Sequence, residues 1–173
     1  KDLAFKKILI TGSGGSIGRG LIKRLEDFNG EILETDVIKG FKKLDVTDEQ
    51  AVEKVFKSYN PDLIIHLAGA KHAPEGEVDT LKTFEINTIG TSIMIKNMNK
   101  KSKFILTSTC KATNPEVVYG ASKLIGFSFM FLIIFSFGIA KLIGITLFLF
   151  SNNSLLKYKP NLAYLSSIIL SSS

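Results

Sequence analysis

Three glycines spaced three residues apart follow directly on an apolar run near the start of the chain. The run FKKILIT ends at Thr11, and Gly12, Gly15 and Gly18 complete the pattern T-G-x-x-G-x-x-G. Apolar residues then recur at helical spacing over residues 16–28. A buried strand that feeds a glycine turn and a helix is the opening unit of a parallel sheet. This feature therefore restricts the chain to α/β folds.

The remainder of the first 125 residues repeats the alternation of strand and helix. Apolar runs predict strands at residues 5–11, 31–36, 63–68 and 103–108. Helical spacing predicts helices at 16–28, 48–58, 80–99 and from 120 onward, with Thr47 as the N-cap of the second helix. Short loops between alternating strands and helices favour a doubly wound parallel sheet, which we assign to a domain of residues 1–125.

Residues 126–173 differ in composition from the rest of the chain. They contain no Asp or Glu, and residues 126–150 include a single charge, Lys141. Three interpretations stay open: a truncated or divergent substrate region, a transmembrane helix, or a loop and a further buried strand. A helix that spans a bilayer needs about 20 apolar residues, and the uncharged stretch 124–140 has 17. We favour the first and expect a cytoplasmic protein, with membrane association through 126–150 as the less favoured alternative. The single cysteine, Cys110, agrees with a reducing compartment.

The formal net charge of +6 does not indicate a nucleic-acid site. No acid follows Glu116, whereas four lysines do, so most of the excess charge comes from the acid-free tail and not from a clustered basic face. The sequence therefore predicts no nucleic-acid partner. It predicts no metal site either.

The glycine turn predicts a site for a dinucleotide. Gly12 would make the tight turn, Gly15 would let the backbone approach a pyrophosphate, and Gly18 would permit close packing of helix and strand. The diphosphate would then sit on the first N–H groups of the helix, which are those of Ser16 and Ile17.

Acidic residues at strand ends predict which dinucleotide binds. Asp36 ends the second strand, where its carboxylate would bond the adenosine ribose and repel a 2′-phosphate, which favours NAD over NADP. Glu34 is a weaker candidate for that role, and Asp45 would frame the adenine. A solvated acid at the end of a strand is the alternative interpretation of Asp36.

A tyrosine and a lysine four residues apart form a second constellation. Tyr119 and Lys123 share one face of a predicted helix. The Lys123 ammonium would lower the pKa of Tyr119 and bond the nicotinamide ribose, and Tyr119 could then move a proton while a hydride moves. Ser108 or Thr109, at the end of the preceding strand, would hold the reacting oxygen. These features predict redox chemistry on a nicotinamide cofactor.

Four further motifs extend this pattern: L-A-G-A-K-H-A-P at 67–74, N-T-I-G-T at 87–91, S-T-C-K-A-T-N-P at 108–115 and Y-G-A-S-K at 119–123. Residues 5–125 together resemble the extended short-chain dehydrogenase/reductases. Within that group they are most similar to bacterial nucleotide-sugar 4,6-dehydratases of polysaccharide biosynthesis.

The resemblance implies a Rossmann-type sheet, bound NAD and a UDP-sugar substrate. Tyr119 would help to oxidise C4 while the cofactor takes the hydride, and Lys111 would be the base at C5. Lys71 and His72 would shape the sugar pocket. The cofactor would also contact four residues of two other segments: Ala68, Gly69, Ala70 and Asn87. An intact enzyme of this kind would be expected to form a homo-oligomer.

One residue departs from the family pattern. Cys110 stands where the family has an aspartate that helps to expel the C6 hydroxyl, and a thiol with a pKa of about 8.5 is a poorer acid than a carboxyl. The chemistry therefore stays open between 4,6-dehydration and 4-epimerisation. The alternative is a cofactor-binding fragment without turnover, because residues 126–173 lack the arginines and acids of a diphosphate-sugar pocket.

Overall fold

The structure, a computed structural model, describes residues 5–71 and 77–136, with side chains up to residue 130. Its strands are β1 (Lys7–Thr11), β2 (Glu31–Asp36), β3 (Lys42–Lys43), β4 (Leu63–His66) and β5 (Lys103–Leu106). Its helices are α1 (Ser16–Arg24), α2 (Glu49–Tyr59), α3 (Thr80–Phe84), α4 (Thr91–Asn97) and α5 (Val118–Ser136). A π-helical turn (Glu85–Gly90) joins α3 to α4, and a 3₁₀ turn (Cys110–Ala112) precedes α5.

The five strands form one parallel sheet in the order β3-β2-β1-β4-β5. The central strand β1 pairs with β2 on one side and with β4 on the other. The strand order thus reverses beside β1, and the carboxyl ends of β1 and β4 border the crevice where ligands bind in open α/β sheets. The predicted Rossmann-type parallel sheet is confirmed.

Two hydrophobic cores cover the two faces of the sheet. Ile8 and Ile10 of β1 pack on the same face as Leu21 of α1. Leu9, between them, packs on the opposite face, in a cluster that includes side chains from α2, α4 and α5. Successive side chains of a strand point to opposite faces, so a continuous apolar run indicates burial on both. This arrangement is the double winding that the sequence predicts.

The second helix begins at a different cap from the predicted one. Asp48, not Thr47, is the N-cap of α2, and its side chain accepts a hydrogen bond from the Ala51 amide at 3.0 Å. The Thr47 hydroxyl instead donates to Asp45 Oδ1 at 2.7 Å. The prediction of Thr47 is wrong because the carboxylate of Asp48 lies within reach of the Ala51 amide and caps the helix.

Helix α5 carries the chain beyond residue 125. Met130 lies in the core, and Gly126 packs so closely on the π-helical turn that a Cβ there would lie 2.6 Å from the Asn87 carbonyl oxygen. In the described part of the chain, no helix combines the length and the apolar character needed to span a bilayer. Residues 137–173, the greater part of the predicted tail, lie outside the described residues.

Candidate active site

The glycine turn needs the absence of side chains at two of its predicted positions. Gly12 has φ +70°, and a Cβ there would lie 2.6 Å from the Ala68 backbone nitrogen. A Cβ at Gly18 would lie 2.5 Å from the Gly12 carbonyl oxygen. At Gly15 the nearest atom would be 3.3 Å away, which leaves the backbone there open to an approaching ligand. Ser16 and Ile17 are exposed in the first turn of α1, which no side chain caps.

Gly14 is a close-packed residue that the sequence interpretation missed. A Cβ there would lie 2.2 Å from the Ile38 side chain and 2.9 Å from the Phe41 ring. The Gly14 carbonyl also accepts a hydrogen bond from Arg19, whose guanidinium lies 5.6 Å from the centre of the Phe41 ring. The glycine turn is therefore packed on one side by the segment that follows β2. Two glycines in succession were the available signal.

A cleft of about 520 Å³ opens at the carboxyl ends of the strands. Of the residues predicted to bind cofactor or substrate, eight line it: Gly12, Gly15, Asp36, Asp45, Ala68, Gly69, Ala70 and Lys71. The structure thus brings the glycine turn, both strand-end aspartates and the loop after β4 into one cavity. His72 lies outside the described residues.

Asp36 holds the glycine turn against the end of β2. Its carboxylate accepts hydrogen bonds from the amides of Gly14 at 2.8 Å, Val37 at 2.7 Å and Ile38 at 3.2 Å. The carboxylate is therefore oriented before any ligand arrives. Asp45 is likewise fixed, because its carboxylate accepts hydrogen bonds from the Thr47 amide and hydroxyl. The same two hydrogen bonds hold the pKa of the Asp45 carboxyl below its usual range.

The loop after β4 passes over two polar groups. A Cβ at Gly69 would lie 2.8 Å from Asn87 Oδ1 and 2.8 Å from Lys123 Nζ, so a larger residue would displace the ends of these side chains. Lys123 is 7% exposed, and burial lowers its pKa to about 8. Asn87 Oδ1 is buried and has no hydrogen-bond partner among the described residues. A buried acceptor of this kind beside an ammonium fits a ligand that supplies a donor.

Tyr119 lies in the first turn of α5, next to the segment that follows β5. Burial raises the pKa of Tyr119, the nearby Cys110 thiol raises it further, and a hydrogen bond with the Thr109 side chain partly opposes this. The prediction that Lys123 lowers the pKa of Tyr119 is wrong here. The two residues share a helix, but the ammonium of Lys123 extends to Gly69 and Asn87.

The 3₁₀ turn fixes Lys111 close to α5. The Thr109 hydroxyl accepts a hydrogen bond from the Lys111 amide at 3.3 Å, and a Cβ at Gly120 would lie 2.4 Å from the Lys111 carbonyl oxygen. The turn thus packs directly on the helix that carries Tyr119. Ser108, the alternative to Thr109, is buried, and its hydroxyl has no hydrogen-bond partner among the described residues.

His66 is a buried polar residue of the site region that the sequence interpretation missed. It is the last residue of β4 and is 0% exposed, with its ring nitrogens at hydrogen-bond distance from Thr11 and Thr91. Burial lowers its pKa to about 3, and the charge of Lys123 contributes. A histidine inside the apolar run LIIHLA was the available signal, because a buried polar side chain needs partners.

Comparisons with known proteins agree with this arrangement. A family model described as "Polysaccharide biosynthesis protein" matches residues 26–133. An uncharacterized membrane protein of Methanocaldococcus jannaschii is 34% identical over 138 residues, which cover 69% of this chain and 41% of that protein. A UDP-N-acetylglucosamine 4,6-dehydratase (inverting) of Campylobacter jejuni is 32% identical over 138 residues, with the same coverage. The chain thus spans less than half the length of these relatives.

Two solved structures with bound dinucleotides share the fold. A dTDP-4-dehydrorhamnose reductase from Bacillus anthracis, in complex with NADP, has a TM-score of 0.67 and 25% identity, and the match covers 77% of this chain and 51% of that one. The Bordetella bronchiseptica enzyme WbmG, in complex with NAD, has a TM-score of 0.62 and 25% identity, with coverage of 76% and 50%.

Proposed function

Because the chain belongs to the family of polysaccharide biosynthesis proteins, we propose that it is part of an NAD-dependent nucleotide-sugar-modifying enzyme of the 4,6-dehydratase or epimerase type. The observation that carries the proposal is a cleft at the carboxyl ends of β1 and β4. It unites the glycine turn, Asp36 and the glycine loop that covers Lys123 and Asn87. Ligands of open α/β sheets bind at this edge.

The residues of the cleft fit a nicotinamide dinucleotide. The turn at Gly12 and Gly15 would hold the diphosphate, and Asp36 would bond the adenosine ribose. Lys123 would bond the nicotinamide ribose, together with Asn87 Oδ1, which has no hydrogen-bond partner among the described residues. When bound, the cofactor supplies an acceptor and a donor of hydride. The preference for NAD over NADP is supported by the position of the Asp36 carboxylate, which would repel a 2′-phosphate.

We assign the proton transfer to Tyr119. Its raised pKa keeps the hydroxyl protonated at neutral pH, which is the state that donates a proton to a sugar carbonyl oxygen during reduction. In the opposite direction the same oxygen must accept a proton, and the positive charge of an oxidised nicotinamide would favour its ionised form. Thr109, hydrogen-bonded to Tyr119, would hold the reacting oxygen, and Lys111 would take the C5 proton in a dehydratase.

The composition of residues 126–173 favours a second candidate function, binding of the dinucleotide without turnover. These residues contain no Arg, Asp or Glu with which to form a diphosphate-sugar pocket. In either case we propose a UDP-sugar as the natural substrate of the whole enzyme, a cytoplasmic location and a homo-oligomer. Lys71, at the rim of the cleft, and His72 remain proposed sugar-binding residues.

Cofactor preference can be tested by titrating the full chain with NAD⁺ and with NADP⁺. We expect NAD⁺ to bind at least about tenfold more tightly, and Asp36→Asn to remove most of that preference. Asp62→Asn is the matched control, because the Asp62 carboxylate also accepts hydrogen bonds from two backbone amides, those of Lys6 and Lys7. Asp62 lies at the amino ends of the strands, away from the cleft. Equal affinity for the two dinucleotides would contradict the assignment of Asp36.

Turnover separates the two candidate functions. The NAD⁺-loaded full chain is incubated with UDP-N-acetylglucosamine, and mass spectrometry detects a product that has lost one water, while sugar analysis after hydrolysis detects a 4-epimer. We expect Tyr119→Phe to abolish either product. Tyr59→Phe should retain it, since the Tyr59 hydroxyl contacts the carbonyls of Ile8 and Glu31, away from the cleft. Tight NAD⁺ binding without any product would favour the binding fragment.

A further inference from the structure

A chain of buried hydrogen bonds runs through the imidazole of His66. On one side, the Thr11 hydroxyl lies 2.7 Å from His66 Nδ1 and accepts a hydrogen bond from the Ala68 amide at 3.3 Å. On the other side, Thr91 Oγ1 lies 3.2 Å from His66 Nε2 and donates to the Asn87 carbonyl at 2.8 Å. The ring therefore joins the loop after β4 to the π-helical turn.

The partners of Thr91 determine the tautomer of His66. A carbonyl oxygen only accepts, so the one hydroxyl proton of Thr91 is used on Asn87. Thr91 Oγ1 can then only accept from the ring, which places the proton of the imidazole on Nε2. The lowered pKa of His66 keeps the ring neutral, so Nδ1 has a lone pair and accepts from the Thr11 hydroxyl. Every polar atom of the ring is thereby satisfied.

The hydroxyl of Thr91 bonds the carbonyl four residues earlier, as Ser and Thr side chains do within helices. The Thr91 amide donates to the Thr88 carbonyl, one residue nearer than in the α-helical pattern, while the Asn87 carbonyl receives the Thr91 hydroxyl. π-helical turns occur often at functional sites, and Asn87 lies in this one.

The chain of hydrogen bonds closes into a ring through the Asn87 side chain and the backbone of residues 68–70. Asn87 Nδ2 donates to the Ala70 carbonyl at 3.0 Å and to Ser122 Oγ at 3.0 Å. Ala70 can only accept, and Ser122 uses its proton on the Tyr119 carbonyl, so the amide orientation is fixed with Nδ2 on this side. Asn87 Oδ1 is consequently held in the space over Gly69, where Lys123 Nζ also lies.

We propose that His66 is a positioning residue, whose Nε2-protonated tautomer holds the Asn87 side chain and the loop of residues 68–70 in the geometry that binds the dinucleotide. It acts through Thr91 on the π-helical turn and through Thr11 on the loop. The tautomer and the closed ring of hydrogen bonds stand independently of the proposed function. The effect on ligand binding rests on the proposed function.

The first test measures the tautomer of His66 directly by NMR and needs no ligand. The long-range ¹H–¹⁵N spectrum of the full chain should display a neutral ring with an unprotonated Nδ1 and a protonated Nε2. The chain has two histidines, so His72→Asn leaves the signals of His66 alone. A ring protonated on Nδ1, or one in rapid exchange between tautomers at neutral pH, would overturn the proposal.

The second test uses paired substitutions and NAD⁺ affinity. His66→Phe keeps a flat ring without hydrogen bonds, and Thr91→Val removes the hydroxyl while keeping the shape. We expect each to weaken NAD⁺ binding by about tenfold or more. His66→Gln, which can still donate to Thr91, and Thr91→Ser, which keeps the hydroxyl, should recover most of the affinity. Thr91→Val and Thr91→Ser decide the question if His66→Phe does not fold.

The control variant is Ser102→Ala. It removes another buried hydrogen bond, from the Ser102 hydroxyl to the Pro61 carbonyl, at the amino ends of the strands. It should leave the affinity unchanged. Affinity losses that are equal in Thr91→Val and Thr91→Ser, or no loss in Thr91→Val, would refute the positioning role. If the unaltered chain binds no dinucleotide, the proposed function fails. Hydrogen exchange of residues 67–71 and 85–91, faster in Thr91→Val than in Ser102→Ala, then decides the positioning role.

Discussion

Burial sets the charge of two neighbouring residues near the carboxyl end of β4. Lys123 and His66 are both nearly inaccessible to water, and desolvation lowers the pKa of each. Their values of about 8 and about 3 lie on opposite sides of neutrality, so the lysine is mostly charged and the histidine neutral at pH 7. Two like charges are thereby avoided in a region of low polarity.

The neutral histidine predicts a dependence of stability on pH. The pKa of His66 is 6.5 in the unfolded chain and about 3 in the folded one. Between these values the unfolded state binds more protons, so the free energy of unfolding is lost as the pH falls below 6.5. We expect a loss of up to about 1.4 kcal/mol per pH unit from this residue.

Urea unfolding of the full chain at pH 6.5 and pH 5.5 measures this loss. His66→Gln should lose less stability over the same interval, because its side chain does not titrate. The comparison stays above the range in which the carboxyl of Asp45, with its lowered pKa, takes up protons. Identical losses in the two proteins would contradict the shifted pKa of His66.

Close approaches of helices give the site its form at the level of elements. Gly126 lets α5 pack on the carbonyl of Asn87, and Gly120 lets it pack on the carbonyl of Lys111. Gly90 lets the π-helical turn pack on Val46. Helix α5 therefore contacts both the segment that holds Asn87 and the turn that holds Lys111. One helix aligns the side chains that we assign to the cofactor and to the substrate.

The N-cap of α2 predicts a stability effect away from the cleft. Asp48→Ala removes the hydrogen bond to the Ala51 amide, and we expect it to lower the free energy of unfolding by about 1 kcal/mol. Denaturant unfolding measures the effect, with Asp27→Ala, an exposed aspartate after α1, as the control. NAD⁺ affinity should be unaffected. A loss no larger than that of the control would contradict the cap.

The order of the strands determines both the stable centre of the molecule and the place of the cleft. β1 and β4 are each paired on two sides, and Leu9 and Ile64 at their centres are fully buried. The cleft lies at their carboxyl ends, where the polar residues His66 and Thr11 stand. The ligand site is thus built on the most strongly paired part of the described structure.

This order predicts a gradient of hydrogen exchange across the sheet. The amides of β1 and β4 should exchange most slowly, and those of β2 and β3 faster, because local opening begins where pairing and burial are least. Hydrogen exchange of the full chain, followed by peptide mass spectrometry, measures the gradient. NAD⁺ should slow exchange further in the glycine turn and in residues 67–71. Protection greatest at β3 would contradict the observed strand order.

The sequence by itself determined the order of elements, the parallel sheet and the residues of the glycine turn. These follow from local patterns: apolar runs mark strands buried on both faces, and glycines mark turns where a Cβ would clash. The strand-end position of Asp36 and the shared helix of Tyr119 and Lys123 were also predictable, because they depend on spacing along the chain. The catalytic and binding roles of these residues stay predictions.

The tertiary structure alone decided which polar groups meet. Lys123 Nζ and Asn87 Oδ1 both lie against Gly69, Lys123 does not lower the pKa of Tyr119, and His66 joins Thr11 to Thr91. The groups that meet are 25 to 55 residues apart in the chain. Their contacts depend on which strands become neighbours and on how closely the helices pack, and neither is encoded in a local pattern. The ring of hydrogen bonds through His66 exists only once the sheet is assembled.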